Sequence, residues 1–132
     1  MRVLVCDDEP DVRLLYRLLA ESEGAEVLEA THADEAVAVA RRQRLDIVLL
    51  DINMPGRSGL DVVEDLVDLT GGAVYVVSAA LTSEHRAVAA ARGAAGSMTK
   101  PELLHRLTEV LGDCGNAESV GLEDGVVGEV RE

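Results

Sequence analysis

Large rings are nearly missing from this sequence: it has no tryptophan or phenylalanine, and its two tyrosines stand at positions 16 and 75. The apolar content is therefore aliphatic. Cysteine is scarce and poorly placed for chemistry. Cys6 lies in an apolar run and Cys114 in a Gly-rich stretch, and neither joins a CxxC or Cys/His cluster. That spacing argues against a redox pair, a zinc site or a disulfide framework, and for a buried free thiol at Cys6. Histidines 32, 85 and 105 fall on separate predicted elements and build no metal site. No apolar run approaches the length of a membrane span, and the run Arg2-Val3-Leu4-Val5-Cys6 is too short for a signal-peptide core before Asp7-Asp8-Glu9 ends it. A cytoplasmic location is expected. Basic residues are also few: 12 Lys and Arg against 25 Asp and Glu give a formal net charge of −13. Such a surface repels phosphate backbones and anionic lipid, so direct nucleic-acid or membrane binding is not expected. Some of that acid can instead be gathered to hold a cation.

With 48% hydrophobic residues, the 132-residue chain has material for one packed domain. Two periods alternate along it. Val3-Leu4-Val5-Cys6, Glu26-Val27-Leu28-Glu29, Ile47-Val48-Leu49-Leu50 and Val74-Tyr75-Val76-Val77 read as strands, and Ala95 to Thr99 as a weaker fifth. Between them the spacing turns helical. Val12, Leu15, Tyr16 and Leu19 form one inward stripe after Pro10; Ala33, Ala36, Val37 and Ala40 form the next, with Thr31 placed to cap it. Ser58 with Asp61 predicts the start of a helix that carries Leu60, Val63 and Val67 inward. An alanine-rich helix is predicted from about Ser83 to Arg92, and Pro101 opens a last one with Leu103, Leu104, Leu107, Val110 and Leu111 on its buried side. Five strand–helix pairs imply an α/β doubly wound fold: a five-stranded parallel sheet covered on both faces. Residues 113–132, rich in glycine and acid and without a sustained period, are expected to be a flexible tail or linker after a domain spanning 1–112.

Folds of this class place their chemistry outside the carboxyl ends of the strands. Those ends carry Asp7-Asp8, Asp51, Ser78 and Thr99-Lys100. Taken singly, Asp8-Glu9 could be helix capping, Asp51-Ile52-Asn53 turn chemistry, and Ser78 is uninformative. Lys100 carries more weight, because a chain with eleven arginines has kept one lysine and put it at a strand end before a proline. Converging carboxylates repel by roughly 4 kcal/mol per pair at about 4 Å near a surface. A hard divalent cation such as Mg²⁺ relieves this and leaves positions open for phosphate oxygens. Asp51 beside a cation and an ammonium could then attack phosphorus, with Ser78 and Lys100 stabilising oxygens on the transferred group.

Over residues 2–112 the chain resembles the receiver domain, the CheY-like phosphoacceptor of two-component signalling. The resemblance rests on Asp7-Asp8, Asp51, Met54-Pro55-Gly56 with Gly59, Ser78-Ala79 and Lys100-Pro101 in that order and spacing. It implies a flavodoxin-like sheet of order 2-1-3-4-5 and phosphorylation of Asp51. It also implies Mg²⁺ held directly by Asp8, Asp51 and the backbone carbonyl of Asn53, with Asp7 usually acting through water. Ser78 would hydrogen-bond the phosphoryl group and Lys100 would pair with it. The implied donor is a sensor histidine kinase or phosphotransfer protein, with small phosphodonors as substitutes. The implied role is signalling by shape change rather than turnover of a substrate. The output would be a separate protein or a C-terminal output domain that this sequence does not contain. One position departs from the family: Ser97 stands where an aromatic ring commonly signals the change. Displacement of residues 79–93 is the expected readout in its place.

A phosphatase of the haloacid dehalogenase type would also use a strand-end Asp, a hydroxyl and a Lys. It would need a second Asp two residues after the nucleophile, where this chain has Asn53. A receiver that binds partners without being phosphorylated is disfavoured because every chemical position is filled.

Overall fold

Each of the five apolar runs is a strand, and a helix follows each one. A computed structural model describes the backbone of residues 1–119 apart from Gly72, with side chains through Leu111. The elements are β1 (Arg2–Cys6), α1 (Pro10–Ser22), β2 (Glu26–Ala30), α2 (Ala33–Arg42), β3 (Ile47–Asp51), a 3₁₀ turn (Gly59–Val62), α3 (Val63–Thr70), β4 (Ala73–Ser78), α4 (Ser83–Ala91), β5 (Gly96–Thr99) and α5 (Lys100–Ser119). The strands form one parallel sheet in the order β2-β1-β3-β4-β5, the doubly wound arrangement expected from the sequence.

The alternation of strand side chains sorts the core into two layers. Leu4, Cys6, Val48, Leu50, Val74 and Val76 face α2, α3 and α4, whereas Val3, Val5, Ile47, Leu49 and Val77 face α1 and α5. Cys6 is a buried free thiol, as expected. Burial, with the negative charges of Asp51 and Asp7 behind it, pushes that thiol up to about 12, so it stays protonated and inert.

Several local expectations are corrected. His32, not Thr31, caps α2: its Nδ1 accepts the N–H of Glu35, while Thr31 donates its hydroxyl to the Glu35 carboxylate. Ser58 caps a 3₁₀ turn before α3 begins, so Val62, Val63 and Leu66 are buried while Leu60 and Val67 are half-buried. Leu15 and Leu104 are exposed; the residues that α1 buries are Tyr16 and Ala20. The spacing of a helical stripe does not say where its edge lies, and both leucines sit at an edge. Helix α5 is anchored by Leu103, Leu107, Val110 and Leu111. Its backbone runs past residue 112 to Ser119; the rest of the expected tail, 120–132, lies outside the described residues.

Helix α4 is attached differently from the others. Ala89 is its one buried residue, and Ala87, Ala90 and Ala91 are exposed. Two arginines supplement that contact: Arg86 donates to the carbonyl of Ser97 at 2.8 Å, and Arg92 donates to the carbonyl of Leu60 at 2.6 Å. No helix among the described residues is long and apolar enough to cross a membrane.

Gly59 packs against the end of β3 so closely that a side chain has no room. A Cβ there would sit 2.3 Å from the carbonyl oxygen of Asp51 and 3.0 Å from the Cα of Ile52. Both are backbone atoms, which cannot rotate aside. Gly59→Ala should therefore destabilise the fold by about 3 kcal/mol, the upper range for overpacking, read as a lower urea midpoint with an unchanged slope. A variant as stable as wild type would mean that the loop after β3 yields freely.

Candidate active site

Parallel register brings the carboxyl ends of β1, β3, β4 and β5 to one edge of the sheet. Cys6 pairs with Leu50, Asp51 with Val77, and Ser78 with Thr99. Asp7 therefore stands one residue past β1, beside Asp51 at the last position of β3. Asp7, Asp51 and Ser78 are buried, at 2%, 3% and 0% exposure, and they are the buried polar residues among those described. Asp8 is exposed at the rim. One carboxylate oxygen from each of Asp7, Asp8 and Asp51 lies within 4.8 Å of the others. All six residues singled out in the sequence thus reach this edge, Lys100 from the first turn of α5 and Asn53 from the loop after β3.

Local hydrogen bonds fix each buried carboxylate. Asp7 Oδ1 accepts the N–H of Glu9 at 2.9 Å, and Asp51 Oδ1 accepts the N–H of Asn53 at 3.0 Å. The opposite oxygens face Lys100, whose Nζ is 3.0 Å from Asp7 Oδ2 and 3.4 Å from Asp51 Oδ2. A third contact, to Glu9 Oε1 at 3.2 Å, has no counterpart in the sequence reading. The signal for Glu9 is present in the Asp7-Asp8-Glu9 run, but it reads equally well as compensation of the α1 dipole. Ser78 is held by Asn53, whose Nδ2 donates to Ser78 Oγ at 2.8 Å. That side-chain bond has no sequence signature.

Charge is out of balance here. Burial pushes the Asp51 carboxyl up to about 6; the Asn53 N–H opposes the shift, Asp7 adds to it, and Lys100 opposes it. Burial also works against the charge of Lys100, but its bonds to Asp7 and its attraction to Asp51 outweigh that and hold it above the ordinary lysine range. Three convergent carboxylates against one ammonium leave excess negative charge among oxygen ligands. A hard divalent cation suits that oxygen donor set.

A family model described as the response regulator receiver domain matches residues 3–112. The chain is 36% identical over 114 residues to the probable transcriptional regulatory protein TcrX of Mycobacterium tuberculosis, a match covering 83% of this chain and 49% of that protein. It is 31% identical over 112 residues to the chemotaxis protein CheY of Thermotoga maritima, covering 83% of this chain and 93% of CheY. Among solved structures, it is similar to the response regulator protein TrrA of Thermotoga maritima in complex with Mg²⁺ and BeF, with a TM-score of 0.75 and 30% identity over 86% of this chain and 97% of TrrA. The chain spans about half the length of curated relatives such as TcrX.

Proposed function

The chain belongs to the response regulator receiver domain family, and on that premise we propose that Asp51 is its phosphoacceptor and that Mg²⁺ is its cofactor. The observation that carries this reading is the buried Asp51 carboxylate, grouped with those of Asp7 and Asp8 and 3.4 Å from Lys100 Nζ. Asp8, Asp51 and the backbone carbonyl of Asn53 would hold Mg²⁺ directly, and Asp7 through water. Bound there, the cation would neutralise phosphoryl oxygens.

An oxygen of Asp51 attacks phosphorus and forms a new P–O bond. The bond from phosphorus to the donor breaks, and its electron pair leaves with the donor, an imidazole nitrogen of a phosphohistidine or the acetate of acetyl phosphate. Asp51 then carries an acyl phosphate, which water returns to carboxylate and inorganic phosphate. Lys100 balances charge on the group, and Ser78 donates its hydroxyl to a phosphoryl oxygen. The chemistry is self-directed, so the unit is a signalling domain fed by a sensor histidine kinase or phosphotransfer protein. Its output passes to another protein or to a C-terminal output domain. With Ser97 in place of a ring, displacement of α4 carries the signal.

Purified protein given acetyl phosphate and Mg²⁺ should gain one phosphoryl group by intact mass, and Asp51→Asn should gain none. Equal labelling of the variant would remove Asp51 as the acceptor. We assign the chemistry to residues 1–112 alone. Deleting 113–132 should leave the labelling rate within about twofold, since surface changes away from a site seldom exceed about 0.5 kcal/mol. A loss beyond tenfold would place part of the machinery in the deleted residues.

A further inference from the structure

Resting on the phosphoacceptor reading above, we infer that Asn53 is a positioning residue: its side-chain amide fixes the buried hydroxyl of Ser78 as a donor toward the phosphoryl group on Asp51. A serine hydroxyl has one proton to give and two lone pairs, and when free it rotates among them. At Ser78 both lone pairs are engaged. Asn53 Nδ2 donates to Oγ at 2.8 Å and the N–H of Ala80 donates at 3.4 Å. Among the described residues the Ser78 O–H has no acceptor, although Ser78 is 0% exposed. A buried donor without a partner is costly, and this one sits where β4 ends beside Asp51. With both acceptor sites filled, the proton is the polar capacity left to Ser78.

The same residue also sets the nucleophile. The backbone N–H of Asn53 donates to Asp51 Oδ1 at 3.0 Å, so one residue in the β3–α3 loop fixes both the carboxylate and the hydroxyl. Asn53 itself is exposed and could satisfy its amide with water, so the bond to Ser78 is not needed to bury Asn53. What it supplies is orientation settled before the phosphoryl group arrives. A carboxylate at position 53 would offer Ser78 acceptors alone and turn its proton away from Asp51.

Labelling by acetyl phosphate at saturating Mg²⁺ tests this with wild type, Asn53→Ala, Ser78→Ala and the double variant. Losing one orienting hydrogen bond should slow the maximal rate about tenfold in Asn53→Ala. The donor concentration for half-saturation and the affinity for Mg²⁺ should stay at wild-type values, because the backbone carbonyl of residue 53 is retained. In the Ser78→Ala background, Asn53→Ala should change nothing further, and the Asn53 side-chain NH₂ signal should shift when Ser78 is replaced. Independent, multiplying effects of the two substitutions would overturn the role of Asn53. So would a fall in Mg²⁺ affinity that accounts for the slower rate, since the bond would then be a loop tie. Failure of the wild-type protein to label would instead overturn the phosphoacceptor reading itself.

Discussion

Lys100→Met protein is expected to lose about 2–3 kcal/mol of stability in EDTA at pH 7, and to recover much of it when Mg²⁺ is added. Removing one partner of a buried ion pair strands the other, at about 3–5 kcal/mol. Here the loss is smaller for two reasons. The Lys100 side chain is 18% exposed, so solvent already screens part of its attraction to Asp7 and Asp51. Asp51, already pushed up to about 6, can also take up a proton once the ammonium is gone. Methionine keeps the stem that packs in the first turn of α5, so the missing charge dominates. Glu9 is 62% exposed on its side chain and adds little to the deficit. For a domain of this size the melting temperature should fall by about 10 °C. Urea unfolding with EDTA and with Mg²⁺ decides the matter. Equal deficits in both buffers would mean that the cation and the ammonium do not serve the same carboxylates.

Asp51→Asn should make the metal-free protein more stable at pH 7, by about 2 kcal/mol, while abolishing its chemistry. The folded state holds the Asp51 proton up to about 6, against an ordinary value of 3.8. Between those values the native protein binds a proton that the unfolded chain has released. Stability therefore falls as pH rises through that window: the contribution is full below the unfolded pKa and gone above the folded one. Each pH unit separating the two values is worth about 1.4 kcal/mol, and titration shared with Asp7 and Lys100 trims the total to about 2 kcal/mol. Asparagine has no proton to lose. The difference between the two proteins should thus be near zero at pH 4 and grow to a plateau above pH 6, in urea melts with EDTA. Mg²⁺ should reverse it by binding the wild-type carboxylates. A difference that stays flat from pH 4 to 7 would show that burial does not burden Asp51 in the folded state.

Strand ends and the convergence of Asp7, Asp8, Asp51, Ser78 and Lys100 were legible because each follows from a period and a chain position, whereas the sheet order was implied by the family resemblance. An apolar run closed by an aspartate states both the strand and the residue at its tip. Features that depend on side-chain reach were not legible. His32 displaced Thr31 as the cap of α2 because the helix begins at Ala33, which puts residue 32 at the cap position and leaves the Thr31 hydroxyl to donate to the Glu35 carboxylate. Leu15 and Leu104 share the period of their buried neighbours, and helix rotation alone exposes them. Glu9 meets Lys100 across 91 residues of sequence, and no local pattern records such a contact. The close approach of Gly59 to Asp51 is equally silent, since a glycine in a turn signals flexibility before it signals crowding.

The sparse seating of α4 gives its attachment a distinct thermal character. One buried alanine means that lifting the helix uncovers little apolar surface, so the opening carries a small heat-capacity change. Cooling weakens the aliphatic contacts that hold α5 to the sheet, yet leaves hydrogen bonds from Arg86 and Arg92 to carbonyl oxygens nearly untouched. Denaturant acts in proportion to the surface exposed, so urea well below the unfolding midpoint would shift an α4 opening only slightly. An opening of this sparsely seated helix would therefore be one that temperature and urea barely tune, set apart from the stability of the sheet on which it rests.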